Sequence, residues 1–303
     1  MFYNLKKQIA RARFEWQIRE IARTPPMPVV DAPLSIVSLL GKPRPDILMY
    51  VLAMKSFYRQ IGKGKIIIIT DEETRTRHGA VLEHHFPGVR FEMLDQIDLG
   101  ICQQGGTWER LVYIIRRSQE EYVIQLDSDT LVTGQDVQEV SDCVEQNLSF
   151  TYADNNWSIK TLSEIAEEAK AGNSNYIGDV LEREFSEWAD AGTLKYVRGS
   201  SGFSGFAKGE FALANLESFH EQMKRSLGAR WREWGTEQSA SNFMIANAPG
   251  TAVLPFPEYA TGPLPNHPEA AKFIHFIGSN RYRDDYFARQ GQRIIRELMN
   301  RSA

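Results

Sequence analysis

Unbroken aliphatic runs restrict the fold of this chain more than any other feature. Lys65-Ile66-Ile67-Ile68-Ile69-Thr70 has no polar alternation, so as a strand it must be covered on both faces. Leu34 to Leu40 and Tyr122 to Leu126 read the same way. A helical face separates the first two runs: Ile47, Tyr50, Val51, Met54, Phe57, Tyr58 and Ile61, with Pro45 suited to the helix start. Further helices are expected over Val81 to Phe86 and Leu111 to Arg117, with a strand at Arg90 to Leu94 between them. Strands alternating with helices imply an α/β fold with a mostly parallel sheet and right-handed crossovers.

The pattern loosens after residue 150. Helices are expected over Thr161 to Ala171, Asp179 to Ala191, Phe211 to Arg225 and Glu237 to Ala248. A Gly/Ser cluster covers Gly199 to Gly205, a Pro-rich loop covers Pro249 to Pro268, and a short strand at Phe273 to Phe276 precedes a basic C-terminal helix. Leu5, Ile9, Phe14, Ile18 and Ile21 mark an N-terminal helix that Pro25 and Pro26 end. The expected division is a helix over 1–26, one α/β domain over 27–285 and a helix over 286–303. Within the domain, a nucleotide-binding half spans about 34–153 and an acceptor half about 154–285.

A net charge of −4 gives no bias toward nucleic acid. Cys102 and Cys143 form no CxxC pair, so they are expected to be idle thiols in a reducing compartment. No apolar run reaches the ~18–20 residues needed to cross a bilayer, and Met1 to Arg13 lacks a signal-peptide core. The expected location is the cytoplasm. Both ends are basic: Lys6, Lys7, Arg11 and Arg13, then Arg289, Arg293, Arg296 and Arg301. On one face they would form a positive patch at an anionic membrane, with Phe14, Trp16, Ile294 and Leu298 dipping into the headgroups. The competing reading, which the sequence favours slightly, packs both helices on the core or on a second subunit.

The strongest chemical signal is Asp127-Ser128-Asp129, directly after the Tyr122 to Leu126 run. Ligands of open α/β sheets bind beyond the carboxyl ends of strands. Two carboxylates there repel each other unless a cation lies between them, and hard oxygen ligands suit Mn²⁺ or Mg²⁺. His275 ends an apolar strand, and its neutral imidazole could complete the metal shell. Gly278 would let backbone approach a phosphate, and Arg281, with Lys272 beside it, would contact a diphosphate. Thr236 reads as a helix cap, with Glu237 and Gln238 in the first turn. Ser200, Ser201 and Gly202 permit close approach by a ligand.

In order and spacing these motifs resemble glycosyltransferase family 8, the glycogenin and bacterial lipopolysaccharide galactosyltransferase group, across roughly residues 34 to 285. The family's Asp-x-Asp matches Asp127 and Asp129, and its His-x-x-Gly-x-x-Lys matches His275, Gly278 and Arg281, with arginine for lysine. Its Asp-Gln-Asp-x-x-Asn resembles Glu237-Gln238-Ser239-Ala240-Ser241-Asn242, and its Asn-Ser-Gly resembles Ser200-Ser201-Gly202. The resemblance implies a GT-A type, Rossmann-like mixed sheet flanked by helices, with the two terminal helices as extensions. It implies metal at Asp127, Asp129 and His275. It also implies donor contacts from Arg110, Asp127, Ser128, Asp129, Ser201, Gly202, Gly278 and Arg281, and catalytic or positioning roles for Asp154, Glu237 and Gln238. The implied reaction moves a sugar from a nucleotide donor, UDP-linked by resemblance alone, to a saccharide or lipid-linked acceptor with retention of configuration.

Other readings are weaker. Gly62-x-Gly64 precedes a strand, so it is no dinucleotide fingerprint, and no Gly-x-Ser-x-Gly elbow is present. A nucleotidyltransferase would want a glycine-rich basic loop after the first strand, and Gly41-Lys42-Pro43-Arg44-Pro45 loses donors to its prolines. A non-catalytic nucleotide- or sugar-binding module is the remaining alternative.

Overall fold

A computed structural model describes residues 2–41, 45–264 and 270–300, without the side chains of residues 2–7 and 156. The Lys6 and Lys7 side chains, Lys42 to Arg44, and Arg301 therefore lie outside the described residues. In chain order the elements are α1 (Phe2–Ile18), β1 (Leu34–Leu40), α2 (Ile47–Ile61), β2 (Lys65–Thr70), α3 (Glu72–His85) and β3 (Arg90–Met93). Next come α4 (Trp108–Arg117), β4 (Tyr122–Leu126), β5 (Thr130–Val132), α5 (Gln138–Gln146), β6 (Phe150–Tyr152), β7 (Lys160–Thr161), α6 (Leu162–Ala169) and α7 (Ile177–Glu184). The chain ends with β8 (Lys195–Tyr196), β9 (Phe203–Phe206), α8 (Leu213–Leu227), α9 (Thr236–Ala246), β10 (Ala252–Leu254), β11 (Tyr259–Thr261), β12 (Phe273–His275) and α10 (Tyr286–Asn300).

The fold is α/β, with a seven-stranded, mostly parallel sheet flanked by helices. Its order is β10-β6-β9-β4-β1-β2-β3, beside a three-stranded sheet β11-β12-β5 and a two-stranded β7-β8. The long aliphatic runs become strands β1, β2 and β4, buried throughout except at the half-buried Leu39 and Lys65, as double-sided burial requires. The chain divides into two compact units. One comprises Met1–Asp95, Leu126–Ser141 and Pro257–Ala303, the other Gln96–Gln125 and Asp142–Phe256.

In the first unit, β1, β2 and β3 pair in parallel, with Ile36 opposite Ile66 and Ile67 opposite Arg90. β12 runs antiparallel to β5 and parallel to β11. Helix α2 is buried from Met49 to Tyr58. Helix α1 packs on α10 and α2: Phe14, Ile18, Ile21, Ile294 and Leu298 are buried. Phe287 stacks on Phe276 at 4.1 Å between centroids and tilts against Phe14 at 4.8 Å. A Cβ on Gly291 of α10 would come within 2.7 Å of Leu52 Cδ2, so the missing side chain is what lets α10 approach α2. Lys55 of α2 donates to Thr24 O, Thr24 Oγ1 and Pro25 O, which ties down the segment after α1. This packing corrects the membrane reading. Phe14, Ile294 and Leu298 are core residues and cannot dip into headgroups, and of the four only Trp16 is exposed.

In the second unit, β6 pairs antiparallel with β9 and parallel with β10. Phe219 stacks on Phe243 at 4.3 Å, joining α8 to α9. Trp108 meets His220 and Trp231 edge to face, and Trp231 Nε1 donates to His220 Nδ1 at 3.0 Å. Cys102 and Cys143 are buried thiols not joined in a disulfide.

Several local expectations need correction. α3 starts at Glu72 rather than Val81, because Asp71 caps it: Oδ1 accepts from Thr74 N at 2.9 Å, and the charged surface residues of the first turns carry no apolar period. Thr130 to Val132 leaves the line of β4 and forms β5 in another sheet. The Gly/Ser cluster holds strand β9, and the Pro-rich segment holds β10 and β11. These strands span three or four residues each, too short for a readable period.

Candidate functional site

The first unit builds an acidic and imidazole cluster from two sheet connections. Phe276 N donates to Asp129 O at 2.8 Å, and His275 stands opposite Thr130 across the β12–β5 ladder. Thr130 Oγ1 donates to Asp127 O at 2.8 Å, which tightens the turn between β4 and β5. Pairing therefore sets the imidazole beside the turn that carries both carboxylates. His275 Nε2 lies 3.1 Å from Asp129 Oδ1 and 3.8 Å from Asp127 Oδ2. Asp129 and His275 are buried and Asp127 is half-buried.

Ligand atoms of Asp127, Asp129 and His275 all lie within 4.8 Å of one another. An octahedral cation with bonds of about 2.1 Å needs neighbouring ligands about 3.0 Å apart and opposite ones about 4.2 Å apart. The His275–carboxylate separations of 3.1 and 3.8 Å lie between those two values, and two carboxylates with one imidazole suit a hard divalent cation.

Arg281 completes the cluster. Its Nε and one terminal nitrogen donate to Asp129 Oδ2 at 2.8 and 2.7 Å, and its other terminal nitrogen lies 3.6 Å from Asp46 Oδ2. Asp129 thus has one oxygen held by arginine and the other facing His275. Burial pushes the Asp129 carboxyl up, but His275 and then Arg281 outweigh it and hold the group down at about 2. Burial works against the His275 cation, yet Asp129 and Asp127 raise it.

Gly278 has φ +61° and is exposed, so the left-handed backbone favours glycine there. Ser128 is half-buried in the turn. Lys272, read as a second phosphate contact, donates to Glu139 at 2.7 Å and Asp136 at 3.2 Å.

The second unit gathers another group of the expected residues. Arg110 and Glu237 are buried, with an N–O separation of 3.5 Å. Thr107 Oγ1 donates to Glu237 at 3.0 Å, and Arg110 donates to Ser201 O at 3.4 Å. Gln125 Nε2 also donates to Ser201 O. Helix α9 places Glu237 and the half-buried Gln238 in its first turn, as read from sequence. Its N-cap is Gly235 at φ +103°, however, and not Thr236. Thr236 Oγ1 instead accepts from Trp108 Nε1 at 3.1 Å and Gln103 Nε2 at 3.0 Å. Gly202 is buried, while Gly199 is small for packing: a Cβ there would come within 2.4 Å of Thr151 Oγ1. Asp154 opens a short turn after β6 and is half-buried.

Sequence reasoning missed Asp46, and it read Arg11 as part of a basic surface patch rather than as a partner of Asp46. Arg11 lies 2.7 Å from Asp46 Oδ1, and Asp46 joins it to Arg281. No motif marks an ion pair between a terminal helix and the residue preceding α2.

No family model matches the sequence, and no curated protein sequence matches it. Among solved structures, the galactosyltransferase LgtC in complex with donor and acceptor sugar analogs is similar at 13% identity and a TM-score of 0.49, over 88% of this chain and 95% of that chain. Mouse xyloside xylosyltransferase 1 in its apo form is similar at 12% identity and a TM-score of 0.46, over 82% of this chain and 98% of that one. The glycosyltransferase GlyE of Streptococcus pneumoniae TIGR4 is similar at 16% identity and a TM-score of 0.48, over 88% of this chain and 64% of that one. All three are glycosyltransferases.

Proposed function

We propose that this protein is a metal-dependent glycosyltransferase of GT-A type, a hexosyltransferase that takes a nucleotide-sugar donor. The observation that carries the reading is the convergence of Asp127, Asp129 and His275, two carboxylates and an imidazole whose ligand atoms lie within 4.8 Å of one another. Mn²⁺ or Mg²⁺ is the cation proposed, since the donor set is hard and diphosphates share the shell of such ions. When bound, the cation supplies charge neutralisation for the leaving nucleoside diphosphate.

The chain's own residues have these proposed parts. Asp127, Asp129 and His275 hold the cation. Ser128 and the Gly278 backbone approach the donor diphosphate, and Arg281 donates to it while steadying Asp129. Arg110, Ser201 and Gly202 bind the donor. Asp154, Glu237 and Gln238 position the donor sugar and stabilise charge at the reacting carbon. UDP is the proposed carrier and a saccharide or lipid-linked molecule the acceptor. Retention of configuration is proposed from the family resemblance alone; on that route the leaving phosphate oxygen takes the acceptor proton on the same face, with no carboxylate base. Any membrane contact would fall to exposed α1 residues such as Ile9 and Trp16.

Incubation of the protein with a panel of UDP-sugars, with and without Mn²⁺, tests the reading. Metal-dependent release of free sugar and UDP is the expected result, with transfer when the acceptor is supplied. Nucleoside triphosphate consumption with pyrophosphate release would mark a nucleotidyltransferase instead. Tight donor binding with no turnover would mark a binding module. NMR of the first-formed product decides stereochemistry, and an inverted anomer excludes the retaining reading.

A further inference from the structure

We infer that Arg11 and Asp46 are positioning residues of the metal site, acting on Asp129 through Arg281. The inference rests on the metal reading above. All the groups concerned lie in the first unit.

The contacts form a line of alternating charge. Arg11 reaches Asp46 Oδ1 at 2.7 Å, and its Nε donates to Glu15 at 2.8 Å. The other Asp46 oxygen lies 3.6 Å from Arg281, whose Nε and second terminal nitrogen bind Asp129 Oδ2. Arg281 Nε also reaches Phe276 O at 3.3 Å. Asp46 precedes the first residue of α2, yet its side chain makes no capping hydrogen bond there. Its carboxylate is directed to the two arginines instead.

The geometry has a consequence for Asp129. A guanidinium offers its donors in a rigid fork, so fixing one edge fixes the others. Asp46 faces one terminal nitrogen of Arg281 at 3.6 Å, an ion-pair distance, while Asp129 takes Nε and the other terminal nitrogen through a single oxygen. The second Asp129 oxygen is then left aimed at His275, 3.1 Å away. Arg11, 2.7 Å from the other Asp46 oxygen, sets a second cation against that carboxylate, so Asp46 draws less strongly on Arg281. Helix α1 supplies Arg11 on the same face as Phe14 and Ile18, at three- and four-residue steps, and those two are buried. The apolar stripe that docks α1 therefore also delivers the charge.

The test is Mn²⁺ binding by titration calorimetry, with wild type, Arg11→Met, Asp46→Asn, Arg23→Met and Asp127→Ala. Second-layer partners of metal ligands typically change affinity 10- to 100-fold, so Arg11→Met and Asp46→Asn should each weaken Mn²⁺ binding about tenfold. The sign is informative for Arg11. Removing a cation by simple electrostatics would tighten binding of Mn²⁺, whereas loss of positioning weakens it. The double variant should be no weaker than about the worse single one, since both act through Arg281. Arg23→Met breaks an exposed pair with Glu20 in the segment after α1 and should leave affinity unchanged. Unchanged or tighter binding by Arg11→Met, with an unchanged melting temperature, overturns the inference. If Arg11→Met does not fold, Asp46→Asn decides alone, and wild-type affinity in it overturns the inference. Failure of the metal reading looks different: wild type itself would bind Mn²⁺ no better than Asp127→Ala.

Discussion

His275 Nε2 and Asp129 Oδ1 are 3.1 Å apart across 146 residues of sequence, and the β12–β5 ladder is the reason. An antiparallel pairing that sets His275 opposite Thr130 leaves the residue before Thr130 beside the imidazole. A shift of one residue would turn His275 to the other side of the strand.

Removing the metal or a ligand should therefore remove activity. EDTA should abolish donor hydrolysis and excess Mn²⁺ should restore it. Asp127→Asn and His275→Ala should each lower turnover by at least about a hundredfold, more than typical losses of outer-layer partners. Steady-state hydrolysis of the donor found in the panel measures this. Full activity after exhaustive chelation would remove the metal from the account.

Arg281 is assigned to both Asp129 and the diphosphate. Arg281→Ala should cut kcat/KM for the donor about a hundredfold, equivalent to about 2.7 kcal/mol of transition-state stabilisation. Arg281→Lys keeps the charge and loses the fork, and should fall between the two. An Arg281→Ala enzyme with wild-type kcat/KM would remove the arginine from the donor site.

Phe287 joins the terminal helix to the strand that carries His275, through its stack on Phe276 and its contact with Phe14. It is fully buried. Phe287→Ala should cost about 3–5 kcal/mol of stability, the range for buried aromatic truncations. Urea unfolding with an unchanged m-value would register the loss. A change under 1 kcal/mol would mean that α10 is not part of the cooperative core.

His85 gives a pH dependence. Burial, then Lys55 and His84, hold its imidazole down to about 4 from an ordinary 6.5, and its Nδ1 has no hydrogen-bond partner among the described residues. The folded chain keeps His85 neutral, while the unfolded chain protonates it below about 6.5. Its contribution to stability is thus full above pH 6.5 and is lost as pH falls toward 4. One proton accounts for a slope of at most about 1.4 kcal/mol per pH unit. His85→Gln should flatten the acid limb of the melting curve between those pH values. An acid limb identical to wild type would assign the loss to other groups.

The residue order alone determined the long buried strands and the identity of the candidate ligands. Strands β1, β2 and β4 begin and end where their apolar runs do, because burial on both faces needs nothing but a continuous aliphatic segment. Asp127, Asp129 and His275 were legible because each stands at the end of such a run. Some short strands were not, although β3 and β12 lie where they were expected. β9 hides among glycines and serines, and β5 continues the apolar text of β4 yet belongs to another sheet. Only the tertiary structure decided that Arg281 grips Asp129 across 152 residues, that Asp46 and Arg11 stand behind it, and that Phe14, Ile294 and Leu298 face the core. Periodicity and punctuation are local properties of a chain. The partner of a charged side chain is set by the register and packing of elements far apart in sequence, and no local pattern encodes that.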